Sequence, residues 1–316
     1  MRKRNESRSV GSTVLGAVLT IIAALFASGC SCPEASEKAY HHVVVLGDPH
    51  LPGKHLAHKE RVRRTINSWP DVDLVIAVGD ICDEYGTEAE YTAARAFFAK
   101  LDKPLAAIAG NHDVLYTTPS WPGGGGYQPA SPATREAKLA LFRRTFGLAE
   151  HWYSRELGGY LLLFLSTDRE GFAAGMSEPQ LAWLRATLAT HPATPTIIVF
   201  HGPLQGTQHP FKQYINRPQA VAQPVEAIHA LIAANPQVFL WVSGHTHTPA
   251  TEASYAAPIN VYAGQVTNIH NADMKRERIW TNSLLLYPDK VVVRTYDHQE
   301  RAWMPKLERT IPTPKF

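Results

Sequence analysis

The chain of 316 residues contains only three cysteines, Cys30, Cys32 and Cys82. Three cysteines cannot form the framework of a small disulfide-stabilised protein, and we expect no structural disulfide. The sequence also has no internal repeat and no heptad run, and its only low-complexity stretch is the glycine run 123–126. With 45% hydrophobic residues, the chain has ample material for a large core, in one large domain or two smaller ones.

An excess of charge over the body of the chain is lacking as well. Of the 31 basic and 28 acidic residues, four basic and one acidic lie within residues 1–29, which leaves 27 of each sign and a neutral remainder. A neutral body does not carry the basic surface that a general nucleic-acid binder needs. We therefore expect no nucleic-acid partner, whereas small phosphorylated substrates stay compatible with this charge.

The first 29 residues have the composition of an export signal. A basic start precedes the uncharged apolar run 14–27, and the run ends in Ala-Ser-Gly before Cys30. This ending resembles the lipobox of bacterial lipoproteins, although Ala27 stands where that pattern prefers leucine. The resemblance implies a signal peptide over 1–29, lipidation of Cys30 and a tether over 30–41.

An uncleaved anchor helix is the alternative, because residues 10–28 give 19 uncharged positions, close to the ~20 that span a bilayer. In either case the positive flank stays in the cytoplasm. We therefore expect the body to be extracytoplasmic and attached to a bacterial membrane, on the periplasmic side or at the cell surface.

Strand-like and helix-like segments alternate from residue 42 onwards. Short apolar runs rich in β-branched residues predict buried strands at 43–47, 74–79, 105–110, 196–200 and 238–244. Helical patterns between them cover 59–69, 88–100, 137–146, 179–188 and 224–234. This alternation predicts an α/β fold with crossover connections. After about residue 260 strands dominate, and we expect them to be antiparallel and to complete a second sheet.

Each of the five predicted strands is followed by residues that can bind a metal. In chain order these residues are Asp48 and His50, Asp80, Asn111 with His112 and Asp113, His201, and His245 with His247. Ligands in open α/β sheets bind beyond the carboxyl ends of the strands, and these residue types suit divalent metals. In an extended chain residues i and i+2 point to the same side, so Asp48 with His50, and His245 with His247, are expected to reach one site.

The motifs DPH (48–50), GDICD (79–83), GNHD (110–113), His201 and GHTH (244–247), in this order, resemble those of the calcineurin-like metallophosphoesterases. The resemblance implies a phosphoesterase domain over 42–316, folded as a four-layer α/β/β/α sandwich of two mixed β-sheets flanked by helices. It also implies that a hydroxide bridging two divalent metal ions hydrolyses the phosphoric ester of a small substrate.

Carried over position by position, the resemblance implies a set of seven ligands. One ion would be held by Asp48, His50 and His247, the other by Asn111, His201 and His245, with Asp80 bridging both. The ions would be Mn, Zn or Fe. Purple acid phosphatases have a tyrosine where this chain has Asp83, which argues against an iron–phenolate site. Cys82 is expected to pack in the core rather than bind metal.

Two further residues of the GNHD motif receive catalytic assignments. In the family pattern His112 contacts the phosphate and assists the leaving oxygen. Asp113 is expected to orient the His112 ring, as carboxylates often do for imidazoles, and a capping or turn role is the alternative.

Two long irregular segments, 114–134 and 202–218, follow the third and fourth strands and are expected to border the site. Their aromatic residues are expected either to stack on the substrate or to pin the loops; these are Tyr116, Trp121, Tyr127, Phe211 and Tyr214. Two other functions stay open at this point. One is a surface lipoprotein that binds a metal or a partner on an inactive scaffold. The other is a mononuclear zinc amidase, against which the seven ligands argue.

Overall fold

The computed structural model describes residues 38–118 and 127–316. The predicted signal peptide, the lipidation site Cys30, the tether up to residue 37 and Trp121 lie outside these ranges. Fifteen strands are present in the described residues: β1 (His41–Leu46), β2 (Val72–Val78), β3 (Leu105–Ile108), β4 (Tyr116–Thr117), β5 (Gln128–Pro129), β6 (Tyr153–Leu157), β7 (Tyr160–Leu165), β8 (Thr196–Phe200), β9 (Val238–Ser243), β10 (Val261–Tyr262), β11 (Val266–His270), β12 (Trp280–Leu286), β13 (Lys290–Asp297), β14 (Ala302–Trp303) and β15 (Arg309–Pro312).

Six α-helices lie between the strands: α1 (Leu56–Ser68), α2 (Glu88–Phe98), α3 (Asn111–Val114), α4 (Pro132–Phe146), α5 (Glu178–Ala189) and α6 (Val225–Ala234). Local sequence explains where several begin. Thr87 caps α2 in a capping box with Glu90, and serines at 131 and 177 cap α4 and α5. None of the helices within the described ranges combines the length and the apolar character needed to cross a membrane.

Two mixed sheets form the centre of the fold. The first has the order β14-β13-β12-β1-β2-β3, with β15 also paired to β13, and its β1, β2 and β3 are parallel. The second has the order β10-β11-β9-β8-β7-β6, with β7, β8, β9 and β11 parallel. A separate two-stranded ribbon pairs β4 with β5.

Alternating side chains of the central strands belong to different cores, which gives four layers. On β1, Val43 and Val45 pack between the two sheets, whereas Val44 packs against α1 and α2. On β8, Ile197 faces the space between the sheets and Ile198 packs against α5 and α6. The predicted α/β/β/α sandwich of two mixed sheets flanked by helices is therefore confirmed.

The position of the antiparallel strands was predicted incorrectly. The five predicted parallel strands do not share one sheet, because β1, β2 and β3 lie in the first sheet while β8 and β9 lie in the second. The antiparallel β12 and β13 do not complete the second sheet; β12 pairs with β1 and extends the first. Apolar periodicity identifies a strand and its buried faces, but it does not specify which neighbour the strand pairs with.

Candidate metal centre

The carboxyl ends of the parallel strands of both sheets meet at one place. Asp48 and Asp80 follow β1 and β2 of the first sheet, whereas His201 follows β8 of the second. The His201 ring lies between the two carboxylates, with its Nδ1 3.6 Å from Asp48 Oδ1 and its Nε2 3.3 Å from Asp80 Oδ1. All three side chains are buried. Side chains from separate sheets thus share one buried polar site.

The potential ligands fall into two clusters that have Asp80 in common. The first cluster contains Asp48, His50, Asp80 and His247, and the second contains Asp80, His201 and His245. Within each cluster, one potential ligand atom per residue lies within 4.8 Å of the others. The amide oxygen of Asn111 lies 3.0 Å from His201 Nε2 and adds a donor to the second cluster. The site therefore brings together all seven residues of the predicted ligand set.

The other ring nitrogen of each histidine faces an acceptor outside the clusters. His201 Nδ1 lies 2.8 Å from the Val78 carbonyl and His245 Nε2 lies 2.9 Å from the Gln219 carbonyl. His50 Nδ1 lies 3.2 Å from the Asp83 carbonyl. A ring that donates one N–H to a carbonyl presents its second nitrogen as a bare lone pair, which is the arrangement found at metal-binding histidines.

His247 is oriented by a carboxylate that the sequence analysis missed. Its Nδ1 lies 3.4 Å from Asp273 Oδ2. Asp273 is nearly buried, and it accepts a hydrogen bond from the Lys275 backbone N–H at 2.8 Å and pairs with Arg276. Burial alone would raise the pKa of Asp273, but the interaction with the His247 ring and the hydrogen bond and charge of Arg276 lower it to about 2. Asp273 follows the end of β11, so applying the strand-end argument to a sixth strand would have found it.

The backbone at the ligands is left-handed. Asp48, His50, Asp80, His245 and His247 all have φ between 37° and 64°. The i and i+2 pairs therefore reach the shared site, as expected, but through a left-handed rather than an extended backbone. Asp48 and His50 lie in one cluster, and His245 and His247 lie in the two clusters that share Asp80. Non-glycine residues in this region cost about 1–3 kcal/mol each, and such strain concentrates at functional sites.

Burial and the neighbouring carboxylates set the protonation states of the histidines at the site. Burial lowers the pKa of His245 to about 3 and that of His247 to about 4, so both rings are neutral at pH 7. Burial would also lower the pKa of His201, but the charges of Asp80 and Asp48 raise it to about 9. Asp80 above all thus favours a positive charge at His201, whereas burial raises the pKa of Asp48 well above its usual range. A divalent cation fits this donor set because it supplies that charge and meets the free ring nitrogens directly.

Comparison with known proteins identifies the family. The calcineurin-like phosphoesterase family matches residues 41–249, about two thirds of the chain. The chain belongs to this family. Over 183 residues it is 23% identical to the uncharacterized protein YvnB of Bacillus subtilis (strain 168). That match covers 56% of this chain and 13% of YvnB, so the chain spans only a small part of that relative.

Several solved structures have a similar fold. A dimetal phosphatase from Danio rerio matches with a TM-score of 0.57 at 15% identity, over 88% of this chain and 100% of that one. The purple acid phosphatase PPD1 of yellow lupin matches with a TM-score of 0.58 at 16% identity, over 87% of this chain and 54% of that one. GAP50, the anchor in the inner membrane complex of Plasmodium, matches with a TM-score of 0.54 at 12% identity, over 88% of this chain and 90% of that one.

The GNHD motif of this phosphoesterase domain opens α3. The backbone N–H of His112 donates to Asp80 Oδ1 at 2.8 Å, and His112 Nε2 lies 4.0 Å from Asp80 Oδ2. His112 Nδ1 lies 3.0 Å from the Glu84 carbonyl. The ring is therefore fixed at the edge of the clusters, with Nε2 directed towards Asp80.

Asp113 holds backbone rather than the His112 ring. Its carboxylate accepts hydrogen bonds from the N–H groups of Gly110, Ile81 and Cys82 at 2.7, 3.2 and 2.8 Å. Burial, followed by the charge of Asp80, raises its pKa to about 6. These contacts join the turn after β2 to the start of α3, which favours the capping alternative. The neighbouring Cys82 packs in the core, as predicted.

An aromatic wall borders His112 on the outer side. Tyr116 and Tyr127 stack with ring centroids 4.7 Å apart, and both contact the His112 ring edge-on at 5.2 and 4.8 Å. The predicted aromatics Phe211 and Tyr214 lie instead beside Lys212, 5.3 and 5.5 Å from its ammonium. Two of the predicted aromatic residues thus border the metal centre, and two support a lysine of the second loop.

Proposed function

We propose that this protein hydrolyses phosphoric esters with the help of two divalent metal ions, Mn, Zn or Fe. Two ligand clusters that share the Asp80 carboxylate carry this proposal, because a shared carboxylate is what a dinuclear site needs. In the proposal, Asp48, His50 and His247 hold one ion, and Asn111, His201 and His245 hold the other. Mononuclear zinc chemistry does not need the second cluster.

When bound, such an ion pair would supply a hydroxide nucleophile at neutral pH and would neutralise charge that develops on the phosphate oxygens. The chain supplies the remaining groups. His112 is the proposed acid: when protonated, it can donate its Nε2 proton to the departing alcohol oxygen, while the Glu84 carbonyl fixes its ring. Asp113 supports this role indirectly, by holding the first turn of α3 through Gly110.

Cationic side chains flank the proposed phosphate site. Lys212 donates to the carbonyl of Thr246, between the two histidines of the GHTH motif, at 3.1 Å. Lys275 pairs with Asp83 at 2.9 Å, and Arg276 donates to the His247 carbonyl at 3.3 Å. Their positive charge favours the approach of an anionic ester to the proposed metal centre.

A direct test compares 4-nitrophenyl phosphate with bis(4-nitrophenyl) phosphate as substrates of the full-length chain in detergent with added Mn²⁺. Turnover that chelation abolishes and Mn²⁺ restores supports the proposal, and the preferred ester decides between monoesterase and diesterase activity. Absence of turnover in wild type with Mn²⁺, Zn²⁺ and Fe²⁺ would contradict it. That result would favour the alternative of an inactive scaffold, a role for which the similarity to an anchor protein is a precedent at the level of the fold alone.

We also propose that the protein is exported and lipid-anchored through Cys30, on the basis of its N-terminal sequence alone. Incorporation of radiolabelled palmitate into wild type but not into Cys30→Ala tests the anchor. Equal labelling of both would contradict it, and an uncleaved N-terminus in the purified protein would favour the anchor helix instead.

A further inference from the structure

A mainly apolar cavity of about 330 Å³ lies beside the metal centre. Leu115, Tyr116 and Phe172 are among the residues that supply apolar surface. Arg135, Glu170 and Gln219 supply polar groups. A concave, largely apolar space of this size with a few polar groups is typical of small-molecule sites.

Two of the lining residues connect this cavity to the proposed ligands. The Tyr116 ring contacts His112, and its hydroxyl lies 3.4 Å from the Asn111 amide nitrogen. On the other side, the backbone carbonyl of Gln219 accepts a hydrogen bond from His245 at 2.9 Å. A phosphate held at the metal centre would thus have the cavity directly next to the Asn111–His245 half of the site.

Arg135 gives the cavity an unusual polar group. Its side chain is mostly buried, and its Nη2 pairs at 3.1 Å with Glu170, an exposed residue. Its Nε and Nη1 are buried and have no hydrogen-bond partner among the residues that the structure describes. Buried donors without an acceptor are costly, and Arg135 lines the cavity, so a turn of its guanidinium away from Glu170 would let these donors bind a ligand acceptor there.

We propose that this cavity binds the alcohol part of the substrate, and that Arg135 selects phosphoric esters of bulky, mainly apolar alcohols that carry a carboxylate or carbonyl acceptor. The proposal rests on the proposed hydrolase function and extends it to a substrate class. Tyr116 lines the cavity wall next to the leaving oxygen, and Arg135 meets the acceptor at the far end of the alcohol.

Three aryl phosphates with phenolic leaving groups of similar acidity test the cavity: phenyl, 2-naphthyl and 6-carboxy-2-naphthyl phosphate. In wild type with Mn²⁺ we expect kcat/KM for 2-naphthyl phosphate to exceed that for phenyl phosphate by about tenfold or more, because the second ring occupies apolar space. The carboxylate should add about another tenfold through Arg135.

Two variants, each with a matched control, separate the parts of the proposal. Ala173→Phe fills the cavity and should bring the ratio of kcat/KM for 2-naphthyl to phenyl phosphate down to about one. Ala186→Phe, on the exposed side of α5, should keep the wild-type ratio. Arg135→Met should lose only the carboxylate preference, whereas Arg144→Met, on the surface of the same helix, should keep it.

The outcomes distinguish this proposal from the proposed function. No turnover of any ester would overturn the hydrolase function itself. Turnover with equal kcat/KM for all three esters in wild type, or preferences that survive Ala173→Phe and Arg135→Met, would overturn the assignment of the cavity and leave the hydrolase function standing.

Discussion

Asp273→Asn should weaken the binding of one metal ion and leave the other nearly unchanged. The substitution keeps the size of the side chain but removes the negative charge 3.4 Å from His247 Nδ1. Asp273 is ionised at neutral pH because its pKa is about 2. Loss of a carboxylate behind a ligand histidine typically costs about 10–100-fold in metal affinity, or about 1.4–2.8 kcal/mol. Only the ion bound by Asp48, His50 and His247 should be affected.

Isothermal titration of the metal-free protein with Mn²⁺ measures both affinities. A matched control is Asp168→Asn, because the Asp168 side chain is also little exposed and pairs with a histidine, His151, at 3.2 Å, outside both ligand clusters. The control should bind both ions as wild type does. Equal Mn²⁺ affinities of Asp273→Asn and wild type at both sites would refute the claim that this carboxylate orients the His247 ring.

Three further predictions concern other parts of the molecule. His112→Ala should lower kcat by about 10²–10⁴-fold with unchanged metal content, because it removes the proposed acid but no ligand; wild-type turnover would exclude that role. Gly79→Ala should destabilise the fold by about 2–5 kcal/mol, because φ is 87° and the added Cβ would lie 2.6 Å from His201 Nδ1. Gly159→Ala is the control, since its φ is 82° but no atom lies within 4 Å of the added Cβ. Thermal unfolding should show a clearly smaller loss of stability for the control. Burial lowers the pKa of His298 to about 3, whereas this residue titrates near its ordinary value of about 6.5 in the unfolded chain. Between these two pH values the unfolded chain binds a proton at His298 that the folded chain does not. Its contribution to stability is therefore intact above about pH 6.5 and falls by about 1.4 kcal/mol per unit as the pH drops from there to 3. His298→Gln should flatten the loss of unfolding free energy over that range, and an unchanged pH slope would contradict the assignment.

The sequence predicted the strands and the residues at their ends because both signals are local. Continuous apolar runs such as Thr196–Phe200 have few structural alternatives, and this run matches β8 at both ends. Polar residues that follow such runs must lie at the edge of a sheet, and in parallel strands the same edge collects them. The strand-end argument could therefore name the candidate residues without knowledge of how the sheets pack, and the family resemblance implied which seven of them are ligands.

Features that depend on contacts between distant segments could not be predicted in this way. The division of the parallel strands between two sheets follows from pairings such as β1 with β12, which periodicity leaves open. The left-handed backbone at Asp48 and His50 arises from a turn that buried Lys59 supports by donating to the carbonyls of His50 and Pro52. The role of Asp113 depended on the positions of Ile81 and Cys82, which only the fold provides.

The central claim is that the ends of strands from two sheets converge on a pair of metal ions that share Asp80. Anomalous diffraction from crystals grown with Mn²⁺ tests this most directly, because it locates each ion independently of any activity. The account predicts two anomalous peaks about 3.5–4 Å apart, one on each side of the Asp80 carboxylate. A single peak, or peaks away from Asp80 and His201, would contradict it.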